Sequence, residues 1–228
     1  MGAWGEQGGD AAPGAQGFEG AVPERYRLAE EEYGALKGIG NMNLLLHLKE
    51  FADEIAREKI EIYNEASIQY ELAIYLRGGL DNRYKIQLER NIDYFNPYSG
   101  NYLKKEMDIV IFTPDKKEKQ CIELKFPTQG QYPEQMFSAC KDVRFLEQLM
   151  KSGFNECYFM MFTNDPLFYM SKGDNGIYKM FRSEKLIKGE VRKPTGKKDE
   201  VLHIDGEYKI EWRTLKDNLK CFTIEVKT

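Results

Sequence analysis

Histidine is almost missing from this chain: His47 and His203 are the only two in 228 residues. That excludes a metal site built on imidazoles. Cysteine is sparse as well. Cys121, Cys140, Cys157 and Cys221 lie far apart, without the short paired spacing of a zinc site and at too low a density for a disulfide scaffold. No apolar run reaches about 18 residues, so no membrane-spanning helix is expected. The first residues, Met1-Gly-Ala-Trp-Gly-Glu-Gln, carry neither the basic region nor the apolar stretch of a secretory signal. These absences lead us to expect a reduced, cytoplasmic protein with no membrane partner.

What is present divides the chain in two. Ten of the 20 glycines fall in residues 1–41, with seven acids and three bases. The whole net charge of −4 therefore sits there, and residues 42–228 are neutral, with 30 bases against 30 acids. Glycine-rich polar sequence cannot bury enough apolar area to offset its chain entropy. We read 1–41 as a flexible leader, with a short helix over 25–37, and 42–228 as a single domain. Apolar residues make up 42% of the chain and aromatics 13%, enough for a core.

Periodicity orders the domain. Leu44, Leu45, Leu48, Phe51, Ile55 and Ile62 predict an amphipathic helix over 42–63. A second helix, Ala66–Arg77, stops at Gly78-Gly79. Strands are expected over Tyr84–Ile92, Glu106–Thr113 and Lys119–Phe126, the last two joined by the turn Pro114-Asp115-Lys116-Lys117. Pro133–Met150 is again amphipathic, and Cys157–Phe162 is apolar throughout, as in a strand covered on both faces. Short strands are expected over Ile177–Arg182, Val201–Ile204, Glu207–Trp212 and Phe222–Val226, with a basic loop at Arg182–Lys198. This order predicts an α/β fold: a central mixed sheet flanked by helices, with C-terminal strands added over 164–228.

Three features of this frame carry chemistry. Asp108 stands at the start of an apolar strand, where an isolated buried charge is costly and needs a partner or a metal. In Cys121-Ile122-Glu123-Leu124-Lys125-Phe126, Glu123 and Lys125 share one face. Since the hairpin makes the two strands antiparallel neighbours, Asp108 and Glu123 can face each other. On the second helix, Glu65 and Gln69 fall on the inward face or its rim, in line with Ile68 and Leu72, whereas Glu71 lies about 240° away from Glu65. Carboxylates are hard ligands suited to Mg²⁺, which also accepts phosphate oxygens. Such a metal polarises a phosphodiester, and Lys125 adds a cation where negative charge grows. Close to metals and partly desolvated, Lys125 should have a lowered pKa.

Asp108, fourteen intervening residues, then Glu123-Leu124-Lys125 resembles the D…(D/E)-x-K signature of the PD-(D/E)XK nuclease superfamily, the restriction-endonuclease-like fold. The element order α-β-β-β-α-β over about residues 60–163 is similar too. The resemblance implies that Asp108 and Glu123 bind metal (Mg²⁺, with Mn²⁺ as substitute), that Glu65 is the helix carboxylate completing the site, and that Lys125 assists the attacking water. It implies a DNA endonuclease of restriction or defence type, with RNA as an alternative substrate and a homodimer as a plausible assembly. Gln69, Lys104 and Lys105 become candidate substrate contacts, the lysines through phosphates. Met107 stands where the signature has proline, and the helix after Lys125 lacks a Q-x-x-x-Y pattern, which argues against the exonuclease branch.

Plainer readings stand beside this one. A Glu and a Lys often share the wet face of a strand. Asn64 and Glu65 suit a helix start on their own account. The basic stretch Arg182–Lys198 can be a solvated loop. The rival functions are a non-cleaving module that keeps the nuclease fold and an unrelated α/β interaction protein with Glu123 and Lys125 on its surface.

Overall fold

The computed structural model describes residues 43–95, 100–128, 130–170, 176–183, 185–196 and 200–227. The leader 1–41, its short helix over 25–37, Met42, and Lys197 and Lys198 of the basic stretch lie outside the described residues.

Two helices open the domain. Helix α1 spans Leu44–Ala56, with the Asn43 side chain accepting from the Leu46 N–H at its start. It ends seven residues before the sequence pattern suggests, because Glu58 takes a left-handed backbone (φ 60°) in the charged turn beyond Arg57. Ile62 therefore lies outside it. Helix α2 spans Glu65–Gly79 and starts on a capping box in which Asn64 and Ser67 each accept the other's backbone N–H.

Strand β1, Lys85–Asn91, and the pair β2, Glu106–Phe112, and β3, Lys119–Lys125, form an antiparallel meander. Helix α3, Tyr132–Lys151, then crosses over to β4, Glu156–Thr163, which pairs with β3 in parallel. That crossover makes the sheet mixed, as expected. The chain returns to the sheet only at its end: β8, Leu219–Val226, lies antiparallel between β4 and β7, Arg213–Lys216. The six-stranded order is β1-β2-β3-β4-β8-β7.

The sheet separates two apolar layers. On one face Leu48, Phe51, Ile68 and Leu72 of α1 and α2 pack on Ile109, Ile111, Ile122, Leu124 and Met160. On the other, Met136, Cys140, Val143 and Leu146 of α3 pack on Val110, Cys121, Cys157, Phe159 and Met161. Strand β4 sits centrally and is buried from Cys157 to Thr163, as its unbroken apolar run demands. All four cysteines are buried free thiols. Among the described residues, no helix is long and apolar enough to cross a membrane.

The C-terminal third departs from the sequence reading in two places. Ile177–Arg182 is not a strand. Its core is a short helix α4, Tyr178–Arg182, because the buried residues Ile177, Met180 and Phe181 follow a three–four spacing rather than alternation. The basic stretch is not a plain loop either. It holds strand β5, Ile187–Arg192, which pairs with β6, Val201–Tyr208, in a two-stranded sheet laid over α3. Ile187 and Val191 bury there, while Lys188, Arg192 and Lys193 pair with Glu207, Glu190 and Glu200. The strand expected at Glu207–Trp212 is split: β6 takes its first two residues, and pairing resumes only at Arg213.

Candidate active site

The ladder that pairs Ile109 with Ile122, continued by one residue, sets Asp108 opposite Glu123. Both side chains fall on the α3 face of the sheet. They are tied to the backbone of each other's strand: Asp108 Oδ2 accepts from the Leu124 N–H at 2.7 Å, and Glu123 Oε1 accepts from the Asp108 N–H at 3.2 Å. Glu123 is wholly buried. Lys125, two residues on, keeps only 14% of its side chain exposed. The reading that puts Glu123 and Lys125 on a wet face therefore fails.

Two groups complete the cluster that the sequence reading did not place there. Asp142, on the second half of α3, is 3% exposed. Its Oδ2 lies 3.3 Å from the Lys125 ammonium, yet forms no hydrogen bond, and its Oδ1 lies 3.2 Å from the Lys104 ammonium. Lys104, on the segment leading into β2, turns inward. It donates a short hydrogen bond to Glu123 Oε2 and lies 3.6 Å from Asp108 Oδ1. One ammonium thus touches three carboxylates. Placed as a candidate phosphate contact, Lys104 instead has its charge engaged inside the protein. Lys105, its neighbour, is exposed.

Glu65 reaches the rim from the other face. As the first residue of α2, it turns Oε2 toward the end of β3, where it accepts from the Phe126 N–H at 3.2 Å and lies 3.9 Å from Lys125. Its side chain is about half exposed, at 48%. The capping of α2 falls to Asn64 and Ser67 rather than to Glu65. Gln69 does not face outward. Its Nε2 donates to the Asp108 carbonyl and to Glu89 Oε1, both at 2.7 Å. Glu89 has a left-handed backbone (φ 49°) within β1, a conformation that costs of the order of 1 kcal/mol in a non-glycine residue. Gln69 thus anchors Asp108 where the β1–β2 ladder is distorted.

The electrostatics follow from burial. Loss of water pushes the Asp108 carboxyl up to about 6, although Lys104 and the Leu124 N–H pull it down. Burial, then the adjacent Asp108 charge, raises Glu123 well above the ordinary carboxylate range. Burial works against the charge on Lys104, but Glu123, Asp142 and Asp108 outweigh it and hold its pKa above the usual lysine value. Lys125 behaves the same way: burial lowers it, while Asp142 and Glu65 raise it further. The expected lowering is tied to a neighbouring metal ion; the protein's own groups act in the opposite direction and favour the protonated lysine.

The donor set suits a hard divalent cation in kind, since all its ligating atoms are carboxylate oxygens. Four acids, Glu65, Asp108, Glu123 and Asp142, face two ammoniums, Lys104 and Lys125; with every group ionised the excess is two negative charges, which the raised Glu123 and Asp108 carboxyls lessen by holding protons. The unbonded Asp142 Oδ2 marks the same deficit. Among the described residues, no group of three or more His, Cys, Asp or Glu side chains forms a ready metal cage; in this cluster Lys104 stands among the acids. Comparison of the chain with protein-family models, with curated proteins and with solved structures finds no significant match.

Proposed function

We propose that this chain is a Mg²⁺-dependent endonuclease of the restriction-endonuclease-like type, hydrolysing DNA phosphodiesters. One observation carries the reading: Glu65, Asp108, Glu123 and Lys125, spread over 61 positions of sequence, meet at one end of the sheet. In this reading Asp108 and Glu123 hold the divalent ion, with Glu65 at the rim. The bound ion supplies neutralisation and polarisation of the scissile phosphoryl group. The chain's own residues do the rest. Lys125, fixed by Asp142 and Glu65 and kept protonated, presents an ammonium to the charge that grows on phosphate and orients the attacking water. Gln69 holds the Asp108 backbone in place, and the exposed Lys105 faces flanking phosphates.

The half-buried Lys104, paired with three acids, favours a second reading, in which the acids are a structural ion network and the module binds nucleic acid without cutting it. A plasmid-nicking assay separates the two. The parent protein is expected to nick supercoiled DNA with Mg²⁺ and to stop with chelator. Asp108→Ala and Lys125→Ala should each slow nicking by about 10²-fold or more with unchanged circular dichroism. A folded parent that leaves the plasmid intact across a range of Mg²⁺ and Mn²⁺ concentrations overturns the nuclease reading.

A further inference from the structure

We propose that the Lys104 ammonium is a tethered occupant of the cation position, and that a divalent ion loads this site by displacing it. The inference rests on the nuclease reading only for the identity of the site, and its test does not depend on cleavage.

Lys104 makes the contacts a cation would make. Its nitrogen lies within salt-bridge distance of Asp108, Glu123 and Asp142 together, and a site that draws one ammonium toward three oxyanions is already selected for positive charge. The fit is incomplete. With Lys104 in place and every group ionised, the four acids and two lysines sum to −2. Removal of Lys104 and arrival of a doubly charged ion brings the sum to −1, closer to neutrality in a buried setting. The hydrogen-bonding capacity left over on Asp142 Oδ2 lies in the same place.

The backbone before Lys104 is held by hydrogen bonds, whereas its head is held by ion pairs alone, which a competing cation can replace. Gln148 on α3 clamps the segment on both sides of Tyr102, accepting from the Leu103 N–H at 2.9 Å and donating to the Asn101 carbonyl at 3.1 Å. The side chain itself is 32% exposed and stands on a four-carbon stem, so the ammonium can swing to solvent without moving β2. Its one aromatic contact among the described residues, to Phe145 at 5.9 Å from the ring centre, is long and weak. The device therefore reads as an internal counter-ion that keeps the acids compatible with folding and yields to a stronger one.

Two measurements on the full chain test this. In the first, Mn²⁺ alone is titrated into chelator-treated parent and Lys104→Met protein and followed by calorimetry. Removing the competitor should tighten Mn²⁺ binding by about tenfold, equivalent to about 1.4 kcal/mol. Equal or weaker binding in a folded Lys104→Met protein overturns the proposal. The second keeps the parent intact, in case Lys104→Met does not fold. Amine-reactive labelling of Lys104, read by mass spectrometry, should rise several-fold when Mg²⁺ is added, while labelling of the exposed Lys105 stays constant. Unchanged Lys104 labelling at Mg²⁺ concentrations that support nicking overturns the inference and leaves the nuclease reading standing. Mg²⁺-dependent release of Lys104 in a protein that never nicks DNA does the reverse.

Discussion

Helix α3 buries two carboxylates five residues apart, and they live differently. Glu147 is 1% exposed and fully engaged: it accepts from the Asp205 and Gly206 N–H groups, the Tyr208 hydroxyl and Arg144. These bonds dock β6 onto α3. Asp142 is as deeply buried, yet among the described residues it meets two lysine ammoniums as ion pairs, and its Oδ2 faces Lys125 at 3.3 Å without hydrogen-bond geometry. Buried polar groups in a scaffold are satisfied, because an unmet one costs about 1–3 kcal/mol. The contrast assigns Glu147 to the architecture and marks the surroundings of Asp142 as a place where the fold tolerates an unfinished network.

Substitution separates the two most sharply at Glu147. Glu147→Ala strands the Asp205 and Gly206 backbone donors in a buried setting, and it should lower unfolding free energy by about 3 kcal/mol in urea titration. Asp142→Asn should change stability by less than about 1 kcal/mol but slow nicking by about tenfold, because Lys125 loses its anchor. Comparable destabilisation by both changes would erase the distinction. Protons give a finer test. The Asp108 carboxyl stands at about 6 in the folded protein against an ordinary 3.8. Since the folded value is the higher one, ionised Asp108 costs stability above pH 6, and the cost disappears as pH falls through 6 toward 3.8. In chelator, acidification from pH 7 to pH 5 should raise the Asp108-dependent part of stability by about 1 kcal/mol, an increment that Asp108→Asn lacks. Around Glu147 the sign reverses: Lys151 and Arg144 hold Asp205 down at about 2, so what it contributes is lost only as pH falls below 3.8. The smallest effect is expected at the surface. Lys105→Ala should lower the slope of log DNA affinity against log salt by about one, measured in chelator.

Glu65, Asp108, Glu123 and Lys125 were legible because each sits on an element whose period can be read: alternation on β3, the apolar run of β2 and the inward stripe of α2. Asp142 left a signal that went unused. It occupies the place of an apolar residue in the series Ala139, Asp142, Leu146, Leu149, three of whose members are buried core, and an acid within such a stripe must have a partner. Lys104 was legible as a cation near the site, but not its inward turn, since the reach of a lysine from an irregular segment is set by tertiary contact. The strand β5 was hidden by its charges: Lys188, Glu190 and Arg192 alternate with only two large apolar residues, and Gly189 (φ 62°) interrupts the pattern. In α4 the spacing of Ile177, Met180 and Phe181 was helical, but five residues carry too little of either period to decide.

The sheet order has a consequence for how this chain is made. Strand β4 emerges at residues 156–163, yet one of its two partners, β8, is translated last of all the strands. A ribosome must therefore deliver 63 further residues, from 164 to 226, before the edge of Cys-Tyr-Phe-Met-Met-Phe is covered, and at roughly 5–20 residues per second that interval lasts seconds. During it the most apolar strand of the molecule offers an open ladder to any neighbouring polypeptide. Slower synthesis over the final third prolongs that exposure.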